Sequence, residues 1–317
     1  MVENKTYLSV VSPVYLAEGI VDELIKRIAE EVSKITQNYE IILVDDGSLD
    51  KSWKKIEDNC KADKRIKGIK LSRNFGQHYA ITAGLKESVG DYVVVMDCDL
   101  QDNPKYIVDL LNKAKEGFDI VYTIKKVRKH GFIKNLFAGC FHKVFNWLIK
   151  DKRMSSDEQV GGFSLLSRKV VDAFCEYPEY HRAYLNVLRW LGFSNTRILV
   201  KHDVRYHGKT TYSFTKSIAL ALDSVVSHSN KLLLVSIYIG FIFAMLGFSS
   251  IIYIIIKSIV SGFQPGWASS MVLFIFCTGL ILISVGITGI YVGKIFMQAK
   301  RRPLYLIDKK LNLGNQN

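Results

Sequence analysis

The sequence predicts an α/β protein: a mostly parallel sheet with helices on both faces, followed by two membrane-spanning helices near the C-terminus. Three observations predict it. Short apolar runs alternate with segments of helical periodicity from Tyr7 to Thr123. Polar clusters follow the first, second and fourth of those runs, at the strand ends where open parallel sheets bind ligands. Two later stretches lack any charged residue over lengths that cross a bilayer.

Taken in order, Tyr7–Val11 reads as an apolar strand, and Val21, Leu24, Ile25, Ile28, Val32 and Ile35 recur at helical spacing. Glu40–Val44 is a second strand, Ser52–Asp63 a helix, Ile66–Lys70 a third strand and Gln77–Ser88 a helix. In that helix Ala80, Ala83 and Gly84 let the backbone approach the sheet closely. Tyr92–Met96 is the most strand-like run of the chain; Tyr106–Ala114 is helical and Asp119–Thr123 a fifth strand. In Phe132–Ile149, the residues Ile133, Leu136, Phe137, Phe141, Val144, Phe145 and Leu148 mark one helical face, with Lys134, Lys143 and Lys150 elsewhere. That pattern suits a helix lying in the membrane interface or, alternatively, a core helix. Phe214, Ile218, Leu222 and Val225 make a second such stripe.

Leu232–Ile256 carries no charge, and Trp267–Val292 is the apolar part of a second charge-free stretch; Gln264-Pro265-Gly266 separates them. A soluble core helix is the alternative, but two adjacent runs of this length argue against it. Lys231 precedes the pair, Lys294, Lys300, Arg301, Arg302, Lys309 and Lys310 follow it, and Lys257 alone lies between. The positive-inside rule then puts both outer ends, and the N-terminal part, in the cytoplasm. Gly240, Gly247, Gly279, Gly286, Gly289 and Gly293 offer small surfaces on which a second copy could pack, forming a homo-oligomer.

The 317 residues carry a formal charge of +13 and are 49% hydrophobic, a balance that suits a membrane surface as readily as nucleic acid. The five cysteines are scattered and form no C-x-x-C pair, which argues against a disulfide frame or a thiolate zinc site. No signal peptide is expected, because the chain enters a strand at Tyr7 without a long apolar run.

The chemistry concentrates in Asp97-Cys98-Asp99-Leu100-Gln101. Alternate residues of an extended segment point the same way, so Asp97 and Asp99 can face one divalent cation, and such a cation commonly bridges phosphate oxygens. An acidic turn before Pro104 is the plainer reading, and both stand at this point. Asp45-Asp46-Gly47-Ser48 is either a ligand loop or a turn in which Ser48 or Asp50 caps a helix. Arg73-Asn74-Phe75-Gly76 is a loop whose glycine permits a positive φ. The absence of G-x-G-x-x-G after the first strand, and of a P-loop, argues against a nicotinamide dinucleotide fold and a P-loop phosphate site. His181-Arg182 and His202 lack metal-ligand spacing and read as surface or packing residues.

Pro13-Val14-Tyr15, Val44-Asp45-Asp46-Gly47-Ser48, Arg73-Asn74-Phe75-Gly76 and Met96-Asp97-Cys98-Asp99-Leu100-Gln101-Asp102-Asn103-Pro104 together resemble family 2 glycosyltransferases of GT-A fold. Arg205-Tyr206-His207-Gly208-Lys209-Thr210-Thr211-Tyr212 and Arg302-Pro303-Leu304-Tyr305 resemble motifs of the polyprenyl-phosphate branch, which includes dolichol-phosphate mannose synthases and bacterial undecaprenyl-phosphate glucosyltransferases. The chain departs from the pattern at Leu16-Ala17-Glu18, where relatives carry Asn-Glu after the tyrosine, and at Ser164, where they carry arginine; Glu18 is the candidate to substitute.

The resemblance implies inverting, metal-dependent transfer of a hexose from a nucleoside diphosphate sugar, with uridine as the base, to undecaprenyl phosphate. It implies that Pro13, Tyr15, Glu18, Asp45, Asp46 and Asp97 hold the nucleotide sugar, that Asp99 and Gln101 bind Mg²⁺ or Mn²⁺ with Asp97 assisting, and that Asp97, Asp99 and Arg205 are the catalytic residues. Arg205, Arg128 and Lys134 would meet the acceptor phosphate, although the Lys125–Lys134 cluster also reads as a solvated loop drawn to anionic lipid. The expected partners are nucleotide sugar, polyprenyl phosphate and membrane, without nucleic acid. The expected organisation is a nucleotide-sugar half (1–130), an acceptor half with interfacial helices (131–230), a transmembrane pair (231–293) and a basic cytoplasmic tail (294–317). The expected location is the bacterial inner membrane. Transfer to a saccharide hydroxyl, with Asp157 or Glu158 as base, and a non-catalytic nucleotide-binding scaffold are the alternatives.

Overall fold

The computed structural model describes residues 6–125, 160–180, 182–201, 231–261 and 266–313. The first part of the chain alternates as the periodicity requires: β1 (Leu8–Val14), α1 (Val21–Val32), β2 (Tyr39–Asp45), α2 (Ser52–Ala62), β3 (Ile66–Leu71), α3 (Gln77–Glu87), β4 (Tyr92–Val95), α4 (Ile107–Lys115) and β5 (Ile120–Lys125). Every residue of β1 and of β2 is buried, as befits strands covered on both faces. The chain continues through β6 (Val160–Ser167), α5 (Arg168–Glu176), α6 (Tyr184–Leu191) and β7 (Asn195–Val200). The long helices α7 (Lys231–Ser261) and α8 (Trp267–Ala299) follow, and then β8 (Ile307–Leu311).

The eight strands form one sheet in the order β7-β5-β6-β4-β1-β2-β3-β8. Its centre, β4-β1-β2-β3, is parallel. β6 runs antiparallel between β4 and β5, and β8 runs antiparallel to β3. β7 runs parallel to β5, so six of the eight strands share one direction and the sheet is mostly parallel as expected, made mixed by β6 and β8 alone. Neither opposed strand announces itself as an apolar run: β6 (VGGFSLLS) carries two glycines and two serines, and three of the five residues of β8 (IDKKL) are charged.

Apolar side chains divide by strand parity. Val10, Ile41, Leu43 and Val94 pack with α1, α2 and α4 on one face. Val11, Ile42, Val44, Val93 and Val95 pack with α3, α5 and α6 on the other. A Cβ on Gly84 would stand 2.4 Å from Val11 Cγ1 and 3.1 Å from Val44 Cγ2. The small residues of α3 thus do let that helix sit against the sheet, and Ala80 and Ala83 are fully buried there.

The segment expected as a basic tail (294–317) is only partly a tail. α8 runs on to Ala299, and Ile307–Leu311 closes one edge of the sheet as β8. α7 and α8 contain stretches, Leu233–Lys257 and Phe276–Ala299, with mean hydropathies of 2.4 and 2.0, and neither is buried. Both are long and apolar enough to cross a membrane. Phe243 of α7 meets Phe276 of α8 with ring centroids 5.4 Å apart. Cβ atoms placed on the six hairpin glycines would meet nothing within 4 Å among the described residues. These glycines are not what packs α7 against α8. The proposed interfacial helices, at 132–149 and 214–225, lie outside the described residues.

Candidate active site

Three loops emerge from the C-terminal ends of β1, β2 and β4, and strand register sets them side by side. Val14 is level with Asp45 across β1–β2, and Val11 with Val95 across β1–β4. The loop after β1 is tied to the loop after β2 by its own backbone. Leu16 N–H donates to Ser48 Oγ (3.1 Å), Ala17 N–H to Ser52 Oγ (2.9 Å) and Glu18 N–H to Asp50 Oδ2 (3.2 Å). Glu18 Oε2 accepts from Lys51 N–H (2.9 Å), so this carboxylate braces the second loop. Pro13 is buried within β1, and Tyr15 stands 45% exposed at the rim. The Tyr15 backbone also hydrogen-bonds the Cys98 thiol, joining the first loop to the turn after β4; burial pushes that thiol up to about 12, so it remains neutral.

Asp45 and Asp46 are both buried but are used differently. Asp46 Oδ1 accepts from Phe75 N–H (2.8 Å) and Oδ2 from Gly76 N–H (2.9 Å), so it fixes the Arg73–Gly76 loop. Gly47, next after Asp46, has φ +68°, and a Cβ on it would lie 2.4 Å from the Arg73 carbonyl carbon; only glycine fits that crossing. Asp45 Oδ1 accepts from Ser48 N–H (3.3 Å), whereas its buried Oδ2 has no hydrogen-bond partner. Burial pushes the Asp45 carboxyl above its ordinary value, against the bonds from Ser48 and the charge of Lys70. Asp46 is likewise raised by burial, against its two backbone bonds. An unpartnered buried acceptor is costly unless a ligand donor completes it. Ser48 serves the first loop rather than capping α2; Asp50 Oδ1 takes the Ser52 N–H (3.0 Å) and hydroxyl (2.6 Å) at that helix start.

The acidic pair does not sit on an extended strand. β4 ends at Val95, and Asp97 to Asp99 belong to a turn completed by Leu100 at φ +58°. The strand-derived spacing of the two carboxylates is thereby corrected: turn geometry, not pleat alternation, sets it. Asp99 Oδ1 accepts from Gln101 N–H (3.1 Å), and Asp97 Oδ1 accepts from Gln77 Nε2. Both oxygens of Asp97 lie 4.0 Å from where a Cβ on Gly162 would stand, and nothing else described lies within that distance. Gly162 of β6 thus leaves at least a Cβ-sized space beside the carboxylate among the described residues. Behind it, Ser164 Oγ and Tyr184 OH are 2.8 Å apart, and His78 Nδ1 accepts from Tyr184 N–H (3.3 Å). Burial holds His78 below its usual range and Tyr184 above it, so both are neutral at pH 7.

Sequence reading missed Gln77, Tyr184 and the role of Gly162. Gln77 had a usable signal, a polar side chain at the first helical position directly after the Arg73–Gly76 loop. Tyr184 had none, since β6 and α6 bring it close only in the folded sheet. Arg128, Lys134, Arg205, Asp157, Glu158, His181 and His202 lie outside the described residues.

The site suits a divalent cation in part. Asp97 and Asp99 offer hard carboxylate oxygens, and Gly162 leaves room beside one of them. Among the described residues no group of three His, Cys, Asp or Glu side chains could hold a metal alone. One or two carboxylates with the rest of the shell left to substrate phosphates is how Mg²⁺ is ordinarily held.

The profile described as glycosyl transferase family 2 matches residues 9–173. An uncharacterized glycosyltransferase of Synechocystis sp. is 37% identical over 303 residues, covering 95% of this chain and 94% of its own. The undecaprenyl-phosphate 4-deoxy-4-formamido-L-arabinose transferase of Enterobacter sp. is 30% identical over 318 residues, covering 97% and 94%. Glucosyl-3-phosphoglycerate synthase from Mycobacterium tuberculosis shares the fold at a TM-score of 0.50 and 19% identity, over 71% of this chain and 80% of that one. Matched by the family profile over the sheet's core and by relatives over nearly its whole length, the chain belongs to glycosyl transferase family 2.

Proposed function

We propose that this glycosyltransferase moves a hexose from a nucleoside diphosphate sugar, with uridine as the base, to a polyprenyl phosphate at the cytoplasmic face of the membrane. The open space that Gly162 leaves beside Asp97, at the strand ends where Asp45 keeps an unpartnered oxygen, carries the reading. The relatives named as undecaprenyl-phosphate transferases, at 30% identity along almost the whole chain, supply the acceptor class. The two apolar helices supply access to a lipid-borne substrate.

In this reading Asp45 Oδ2 accepts from the base or ribose, Pro13 and Tyr15 line the same pocket, and Glu18 and Asp46 hold the two loops that form it. Asp97 and Asp99, with Gln101, would hold Mg²⁺ or Mn²⁺ on the diphosphate. A bound cation would neutralise the charge that gathers on the leaving group. Gln77 fixes the Asp97 carboxylate through its amide. The acceptor phosphate is anionic at neutral pH, so one of its oxygens attacks the anomeric carbon without a strong base. Attack from the face opposite the departing diphosphate inverts that centre. Arg205, Arg128 and Lys134 are the proposed acceptor-phosphate contacts. We place 1–130 on the donor side, 131–230 on the acceptor side and the catalytic part in the cytoplasm of a bacterial cell.

The test incubates purified full-length protein with undecaprenyl phosphate, Mn²⁺ and a panel of nucleotide sugars. A glycolipid formed from one uridine donor is the expected result. Product on a saccharide hydroxyl instead, or none from any donor, overturns the proposal.

A further inference from the structure

A second cavity, of about 270 Å³, opens on the α3–α5 side of the sheet and is lined by Thr82, Lys86, Cys175, Arg182, Pro303, Leu304 and Tyr305. It is separate from the loops described above: Lys86 lies nine residues along α3 from Gln77, roughly 13 Å at 1.5 Å per residue. Its chemistry is unusual for a structural crevice. Arg182 is 3% exposed, yet no carboxylate pairs with it among the described residues. Two of its N–H groups go to the carbonyls of Phe174 (2.9 Å) and Tyr177 (2.5 Å), while its buried Nε–H has no partner. The guanidinium stacks over the Phe174 and Tyr177 rings at 5.1 and 5.8 Å. Those carbonyls, at the end of α5, account for its position but do not balance a whole charge. An uncompensated buried cation is costly, so such groups are ordinarily paired. Lys86 on the same wall forms no ion pair among the described residues. The nearby acid Glu87 is already engaged by Lys310 at 2.7 Å.

We propose that this cavity is a second anion site, which binds a phosphate group between Arg182 and Lys86. Tyr305 offers a hydroxyl donor from the same walls, whereas the Thr82 hydroxyl is already given to the His78 carbonyl (2.8 Å). Guanidinium plus ammonium plus a hydroxyl is a donor set that phosphate oxygens take. The phosphate could be free in solution or the headgroup of a lipid. The site stands apart from the transfer reaction, and nothing in it depends on the donor or acceptor identified above.

Cys175, on the cavity wall, gives a local readout. Full-length protein in nanodiscs of phosphatidylcholine is alkylated with a maleimide, and Cys175 modification is followed by peptide mass spectrometry. Inorganic phosphate should slow that modification saturably, whereas chloride at equal ionic strength should not. Nanodiscs containing phosphatidic acid, without added phosphate, form the other arm: protection there assigns the phosphate to a lipid headgroup, protection only by the free ion to a soluble source. Lys86→Ala, at an exposed position that leaves folding intact, should raise the half-protecting concentration about tenfold. Arg182→Lys keeps the charge but loses the fork, and should weaken protection similarly. Equal alkylation with and without either phosphate, or protection unchanged in Lys86→Ala, overturns the proposal.

Discussion

At the scale of single residues, the carboxylates of the rim divide into those consumed by the fold and those left to a ligand. Both oxygens of Asp46 and one of Glu18 are taken by backbone N–H groups of neighbouring loops, whereas Asp45 keeps one buried oxygen unpartnered. This has a pH signature. The folded pKa of Asp45 lies above its unfolded value of 3.8. The stability it contributes is therefore full below 3.8 and is lost as pH rises through the folded pKa. Asp45→Asn should remove one contribution that lowers the melting temperature as pH rises above 3.8, while Asp46, raised in the same direction, keeps its own. The same variant should weaken nucleotide-sugar binding, seen as a higher KM. A steeper pH slope in the variant would contradict the assignment. Asp99→Asn should lower formation of lipid-linked product roughly a hundredfold or more, with the protein still inserted in membranes. An unchanged rate would instead fit a sugar-nucleotide-binding scaffold. The DDGS and DxD residue types were legible from sequence alone. That Asp46 is a brace while Asp45 keeps an unpartnered oxygen was not, because both occupy the same motif and only the Arg73–Gly76 loop folding back distinguishes them.

At the scale of elements, α3 shows how tightly the layers are set. Gly84→Ala would gain about 1 kcal/mol of helix propensity, yet its Cβ would collide with Val11 Cγ1 at 2.4 Å. Overpacking of this kind costs ~1–3 kcal/mol, so the net change should be a lower melting temperature. Gly19→Ala, whose Cβ would meet nothing within 4 Å, is the control and should stay within ~0.5 kcal/mol of the parent. The central strands and their helices were readable to within a few residues, since each is an apolar run or a 3.6-residue stripe buried on a known face. β6, β7 and β8 were not read. β7 alternates exposed and half-buried residues until Val200, and β8 is mostly charged (Ile307-Asp308-Lys309-Lys310-Leu311). Their strand character comes from the neighbours they pair with rather than from their own hydrophobicity.

At the scale of the whole molecule, the chain leaves the sheet before α7 and returns to it after α8 as β8, which pairs with β3. Both ends of the apolar pair therefore serve one sheet, and any bilayer crossings must be even in number. Two helices of spanning length meet that parity. The protein should remain with membranes through an alkaline carbonate wash, read by immunoblot of pellet and supernatant. Ending the chain at Arg302 should remove β8 and expose the β3 edge. The expected result is a lower melting temperature and self-association by light scattering, with membrane attachment retained.

Local pattern by itself determined the α/β class, the candidate loops at the strand ends, the family and the two apolar helices, because each follows from side-chain period, composition or a contiguous motif. Tertiary structure alone decided that the sheet is mixed, that Asp97 and Asp99 share a turn rather than a strand, and that Gly162 and Gln77 stand beside Asp97. It also buried Arg182, which reads as an ordinary packing or surface arginine in sequence, against a tail 120 residues further along. These outcomes depend on contacts between residues far apart in the chain, and no local window of sequence carries the energy of a contact it does not contain.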